Sequence, residues 1–264
     1  MPQDVRCDGV QIGAMRKSQS GNSVMGRVAA MGRPPQVWDY WRPIGSGGGS
    51  GIVELGTVRG LDVALPVHFH REDQLTFVLA GRRRFVIAGD LREAGPGEGV
   101  HIPAGTPHRS LCGADEVVCI NLYTPPGLYA APEAIAGLAG HWRRTGGLGW
   151  PDLTRIAEDH RRPIGTGVEP ASAFTGCDAW DSVGDAARRA GMSREGYSRR
   201  FRKHHGVPPH AFGLQERLNE ARLLLRAGES IAAVAADTGF TDQSHLGRCF
   251  RRAFGVTPGR YRAG

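Results

Sequence analysis

Between Ile52 and Tyr123 short apolar runs recur, each closed by turn residues. GIVELGTV, LTFVLAG, RRFVIAG, GVHIPAG and EVVCINLY are rich in Val, Ile, Leu and Phe, and Gly, Pro and Asp separate them. Runs of this length, punctuated this way, predict strands. Many short strands in series predict a β-sandwich or barrel. From about Ala131 the period changes. APEAIAGLAGHWRR and PDLTRIAEDHRR carry helical spacing around a TGGLGW break. RRPIGTGVEPASA, from Arg161 to Ala173, is rich in Gly and Pro and reads as a linker. Beyond it the pattern predicts helices over Asp185–Ala190, Arg194–His205, Pro209–Arg226, Ile231–Asp237 and Gln243–Phe254. The longest carries Leu214, Leu218, Ala221 and Leu225 as an apolar stripe. The expectation is a multidomain chain: a flexible arm at 1–35, an all-β barrel at 36–128, a helical packing or dimerisation element at 129–162, a linker at 163–178 and an all-α domain at 179–264. GSGGGSG, before the barrel, reads as a loop. It is no phosphate cradle, because no Gly-Lys-Ser/Thr follows it.

Charge sharpens this division. The 264-residue chain has a formal net charge of +7. Trp180–Gly264 holds 15 Arg/Lys against 8 Asp/Glu, while the first 179 residues hold 18 of each. A neutral front and a cationic back suggest a sensing part and a polyanion-binding part. The five cysteines (Cys7, Cys112, Cys119, Cys177, Cys249) are scattered without a C-x-x-C, which argues against a disulfide framework or a cysteine zinc site. No apolar run approaches membrane-spanning length, and the first residues lack the apolar core of a signal peptide. A cytoplasmic location and no membrane partner are expected.

The helical third contains one unit twice. GMSREGYSRRFRKHHGVPPHAF begins at Gly191, and GFTDQSHLGRCFRRAFGVTPGRYR begins at Gly239. Each has an upstream alanine pair, a glycine turn, a capping residue (Ser193; Thr241 or Asp242) and then a basic helix. That is what a helix-turn-helix needs: small residues where helices touch, a tight turn, and an exposed second helix. Tyr197 and Phe201, and likewise Leu246 and Phe250, fall on the buried edge. Arg194, Glu195, Ser198, Arg199, Arg202 and Lys203 are left facing outward in the first unit. Gln243, Ser244, His245, Arg248, Arg251 and Arg252 are left in the second. Residues near the start of such a helix reach base edges, where Arg pairs with guanine and Gln with adenine; later basic residues meet phosphate. Arg194, Ser198, Gln243 and His245 are therefore base-reading candidates, and the remaining basic residues are positioning candidates.

This stretch resembles the DNA-binding domain of the AraC/XylS family of transcriptional regulators. The resemblance is carried by Arg217, Ala221, Leu224, Ile231, Ala235, Gly239, Phe240, Ser244, His245, Arg248, Phe250, Gly255, Thr257, Pro258, Tyr261 and Arg262. It implies two helix-turn-helix units joined by one long helix and entering successive major-groove segments on one face of double-stranded DNA. It also implies a homodimer. Gly196, inside the first reading helix, costs about 1 kcal/mol relative to Ala.

In the β region HFHREDQ brings His68, His70 and Gln74 close in sequence. If they share one strand, they share one face, with Phe69 opposite. GEGVHIPAGTPHRS adds His108 after a Pro-Ala-Gly turn, while His101 reads as a rim residue. Three neutral imidazoles suit zinc, nickel, copper or iron. The two stretches resemble the paired motifs of the cupin barrel, a double-stranded β-helix or jelly roll, with Gln74 in the carboxylate slot and Cys112 in place of an Asn. A metal site and an unmetallated pocket for an organic effector both remain open. Trp38, Tyr40, Trp41 and Cys112 are candidates for lining it.

The expected function is a one-component, sequence-specific transcription factor, not an enzyme, whose barrel senses a small effector or metal ion. The rival is a metal-dependent oxygenase or isomerase with a DNA-binding tail. Against the rival, no carboxylate is placed as base; Glu72 and Asp73 are the nearest in sequence.

Overall fold

A computed structural model describes residues 37–42, 51–163 and 182–264. The expected arm at 1–35, the Gly-rich loop before Gly51, and all of the expected linker but Pro163 lie outside the described residues.

Among the described residues nine antiparallel strands form the front: β1 (Val37–Trp41), β2 (Glu54–Gly60), β3 (Leu65–His68), β4 (Asp73–Ala80), β5 (Arg83–Ile87), β6 (Asp90–Ala94), β7 (Gly99–Ile102), β8 (His108–Leu111) and β9 (Val117–Thr124). They make a five-stranded sheet, β1-β2-β9-β4-β7, and a four-stranded sheet, β3-β8-β5-β6. Alternation is plain in β5, where Arg83, Phe85 and Ile87 are buried between partly exposed neighbours. The polar DLREA of β6, exposed along four of its five residues, gave no such signal. The strand expected from His68 to Gln74 is broken. β3 ends at His68, β4 begins at Asp73, and residues 69–72 turn between the sheets.

Helices α1 (Ala131–Thr145) and α2 (Trp150–Asp159) bury Ala134, Leu138, Leu153 and Ile156 against Leu75, Phe77, Ile120 and Leu122 of the five-stranded sheet. A Gly146 C-cap with a left-handed backbone ends α1, and an Asp152 side chain accepting from the Gly149 amide opens α2.

The C-terminal part is helical throughout: α3 (Val183–Arg189), α4 (Arg194–His205), α5 (Pro209–Arg226), α6 (Ile231–Asp237), α7 (Gln243–Phe254) and α8 (Pro258–Ala263). Side-chain caps sit at Ser182, Ser193, Ser230, Asp242 and Thr257, each accepting an amide of the first turn. Asp242, not Thr241, caps the second reading helix. The turn glycines Gly191 and Gly239 both have positive φ, 63° and 69°, so the two units share one turn geometry. α8 was not expected; GVTPGRYR reads as an exit, yet Thr257 caps a further short helix with Pro at its start.

One core joins the two halves. Val58, Val78, Cys119 and Tyr123 of the barrel pack in the same buried cluster as Leu218, Leu225, Phe250, Phe254 and Tyr261. The first unit keeps a small separate core of Ala186, Ala187, Tyr197 and Phe201.

Candidate functional site

The two reading helices carry their basic residues outward. Arg194, Glu195, Arg199, Arg202 and Lys203 of α4 are exposed, as are Gln243, Ser244, Arg248, Arg251 and Arg252 of α7; Ser198 is partly exposed. Two base-reading candidates are engaged within the protein. The Arg194 guanidinium lies over Gly184 of α3, where an added Cβ would come within 2.6 Å of it. The His245 ring is partly buried and packs edge-on against Phe240 at 5.2 Å.

The sensing-side candidates meet inside the barrel. His68 of β3 stands directly across from His108 of β8. Ring centroids are 4.3 Å apart for His68–His108, 4.9 Å for His70–His108 and 6.2 Å for His68–His70. Each Nδ1 contacts a backbone carbonyl: His68 on Pro66 at 2.8 Å, His70 on Glu72 at 2.7 Å, His108 on Thr106 at 2.9 Å. For His68 and His108 those contacts hold the proton on Nδ1; neutral His70 donates through one nitrogen only, to the Glu72 carbonyl or to Gln74 Oε1. Gln74 Oε1 lies 2.7 Å from His70 Nε2, and its amide nitrogen donates to Thr76 and Asn121. Phe69 stays out of this cluster and packs, tilted, on Phe212 at 4.9 Å.

The imidazoles are neutral. Burial, then the repulsion a second proton would meet from His70, pushes His68 down to about 3, against a weaker upward pull from the Pro66 carbonyl. Burial and then Arg222 lower His70; burial and then the other two imidazoles hold His108 well below its ordinary range. Neutral imidazole is the metal-binding form, so the residue types fit. The arrangement fits poorly. Among the described residues no group of three or more His, Cys, Asp or Glu is set to hold a metal ion. Gln74 brings no negative charge, it occupies His70 Nε2, the Arg83 guanidinium lines the same space, and the charge of Arg222 also acts on His68 and His70.

The cavity itself is small, about 20 Å³, with Trp38, Tyr40, His68, His70, Gln74 and His108 in its wall. Trp41 does not join it. One residue on from Tyr40, it faces the other side of β1 and packs on the core beneath α1 and α2. Cys112 does not join it either; it is exposed just beyond β8, its thiol 3.0 Å from Asp62 Oδ1. His101 is partly exposed, 3.7 Å from Asp73.

Sequence reasoning missed three elements. Arg83 enters the cavity wall from β5 and is buried. Its signal was present: RRFVI places an arginine in phase with Phe85 and Ile87. Ala253 and Phe254, the end of α7, also line the cavity, so the second helix-turn-helix unit closes it. Arg222 of α5 is the third. It is fully buried, ion-paired with Glu54 of β2, donates to the Tyr261 hydroxyl at 3.1 Å, and lies 4.4 Å from the Tyr123 ring centroid. Around it Arg226 pairs with Glu72 at 2.5 Å, Tyr40 donates to the Phe254 carbonyl at 2.9 Å, and Arg71 pairs with Glu216 and Glu220 at 2.9 and 2.8 Å. All of these contacts but the one from Arg222 to Tyr261 link barrel to helices.

Comparison with known proteins divides the chain the same way. A family described as a helix-turn-helix domain matches residues 186–264, and one described as a cupin domain matches residues 60–123. The HTH-type transcriptional regulator MtrA of Neisseria gonorrhoeae is 38% identical over 86 residues, 32% of this chain and 28% of that protein. The transcriptional activator NphR of a Rhodococcus species is 31% identical over 216 residues, 80% of this chain and 63% of that protein. The chain thus spans less than two thirds of the length of either. Among solved structures, ToxT from Vibrio cholerae O395 aligns over 79% of this chain and 96% of its own, at 10% identity and a TM-score of 0.46.

Proposed function

Because this chain carries an AraC-type helix-turn-helix domain behind a cupin barrel, we propose that it is a one-component transcriptional regulator whose barrel binds a small effector. One observation carries the reading. The second helix-turn-helix unit exposes its basic face while its opposite face shares a buried core with the barrel and closes the barrel's cavity. Whatever changes the cavity therefore acts on the end of a DNA-reading helix. An effector that binds the two arrangements of that helix unequally shifts their populations by its differential affinity.

A binding role for the barrel, not a catalytic one, is supported by its carboxylates. Glu72 is held by Arg226 and lies 3.9 Å from Arg222. Asp73 accepts from the Ala104 and Gly127 amides at 2.8 Å each. Neither is left to serve as a base beside the imidazoles. The charge environment favours an organic effector over a resident metal ion. Should a metal bind, His68 and His108 would hold it through Nε2, and Gln74 would first release His70.

The proposed partner is double-stranded promoter DNA, read in the cytoplasm by a homodimer on repeated half-sites. The test is binding to promoter fragments against competitor DNA at moderate salt. A sequence preference with steep salt dependence is expected; equal affinity for all fragments would sink the assignment.

A further inference from the structure

Two buried arginines in this protein have very different surroundings. Arg222 has Glu54, Glu72 and Tyr261 around it. Among the described residues Arg83 has no carboxylate within ion-pair distance. Its Nη1 donates to the Val63 carbonyl at 2.7 Å, its guanidinium lies over Phe85 and Trp38 at 5.0 and 5.7 Å, and its Nε has no partner among the described residues. Burial disfavours its charged form, and only tyrosines and a thiol oppose that. A buried guanidinium without an anion is costly, because desolvation is not repaid. The indole Nε1 of Trp38, also buried, has no partner among the described residues either. Arg83 and Trp38 line the same cavity.

That cavity also presents acceptors. With the proton held on Nδ1, His68 and His108 offer Nε2 lone pairs, and no described residue donates to them. Unfilled donors and unfilled acceptors thus face one enclosed space. A metal ion would satisfy the second set and be repelled by the first. A lone carboxylate would satisfy the first and be repelled by the second. A hydroxy acid satisfies both.

We propose that the barrel cavity is the binding site for a small hydroxy-carboxylate, its carboxylate anchored by Arg83 and Trp38 and its hydroxyl donating to the imidazoles of His68 and His108. The observed cavity, about 20 Å³, is near the room one water needs. The carbon skeleton must therefore take the space of Phe254, and binding displaces the end of α7 from the barrel. This rests on the regulator reading for its consequence, but the binding itself does not.

The test is calorimetric titration of the full chain with mandelate, lactate and 3-hydroxybutyrate. Phenylacetate is the control without hydroxyl, and mandelamide the control without charge. At least one hydroxy acid is expected to bind. For mandelate, removing either group should weaken binding at least tenfold. Arg83→Met should abolish hydroxy-acid binding and Arg83→Lys retain part of it, with helical content and DNA binding of both variants measured to confirm folding. Limited proteolysis should show the second helix-turn-helix unit more exposed in the bound protein. The proposal is overturned if none of the three acids binds wild type, if mandelamide binds as well as mandelate, or if folded Arg83→Met binds unchanged. Loss of sequence preference on DNA in a protein that still binds the acid would sink the regulator reading and leave the site standing.

Discussion

Arg222→Met should separate the DNA-binding helices from the barrel. The wild-type guanidinium is buried against Glu54, whose side chain is 1% exposed, and reaches the Tyr261 hydroxyl. Met has a similar reach and no charge, so the substitution leaves little void. It leaves the Glu54 carboxylate buried with the Tyr261 hydroxyl as donor and Arg226 Nη1 at 3.8 Å. Removing one partner of a buried ion pair costs about 3–5 kcal/mol. Arg226 remains in part, which places this case at the lower end, about 3 kcal/mol. At 1.4 kcal/mol per factor of ten, that shifts the docked-to-undocked ratio about a hundredfold. Small-angle scattering of the full chain should show expansion, while circular dichroism shows the helices intact. Glu54→Gln alone should also loosen the contact. The Glu54→Gln/Arg222→Met double variant should cost clearly less than the two single effects added, since neither charge is then stranded. Strict additivity across the cycle would refute the claim that this pair clamps the two halves.

Other outcomes follow from the same contacts. Arg248→Ala, on the exposed face of α7, should weaken DNA binding and reduce its salt slope by about one, with stability unchanged; fluorescence anisotropy across a salt series checks both. Gly255→Ala should destabilise the docked state, because its φ is +78° and an added Cβ would come within 2.5 Å of Trp38 Cγ. The backbone part alone is worth about 1–2 kcal/mol, and a Trp38→Ala background should remove only the steric part of the loss in urea titrations. Acid should undock the halves. Burial raises Glu72, but Arg222 and Arg226 outweigh it and bring its pKa to about 2, below its ordinary 4.5. Its contribution is therefore present above pH 4.5 and lost as pH falls from there toward 2, and Glu72→Gln should flatten that part of the scattering profile. Elemental analysis of desalted protein should find no stoichiometric transition metal; an equimolar ion absent from a His68→Ala/His70→Ala variant would overturn the organic-effector reading.

The reading helices were legible because their signals are local. A cap, a turn glycine and an apolar pair four residues apart lie within one short stretch, as at Ser193, Gly191 and Tyr197/Phe201. The imidazole cluster was legible because two motifs each carry their own histidines; that His70 belongs to a turn, not a strand, did not prevent the gathering. What stayed hidden depends on pairs far apart in sequence. Arg222 sits four residues after Leu218 on the apolar stripe of α5, yet nothing near it names Glu54 as its partner, 168 residues away. Arg83 alternates correctly inward, but an inward arginine looks like a register error until its empty surroundings are seen. Trp41 failed for the reason that Arg83 succeeded, since a shift of one residue along a strand exchanges its faces; Cys112, in phase with His108 and Ser110, failed because β8 ends at Leu111. β6 and α8 were missed because DLREA lacks alternation and PGRYRA is too short for a helical period.

Docking also hides charge. Held against the barrel, the second reader has Arg222 and Arg226 neutralised by Glu54 and Glu72, and Arg260 by Asp39, while it lends Glu216 and Glu220 to Arg71 in return. Lifted away, it uncovers three cations and only two anions of its own. The barrel is in this sense a tethered counterion. Releasing it leaves the helices more attractive to a nucleic-acid backbone, even though none of the three uncovered arginines lies on the reading helix.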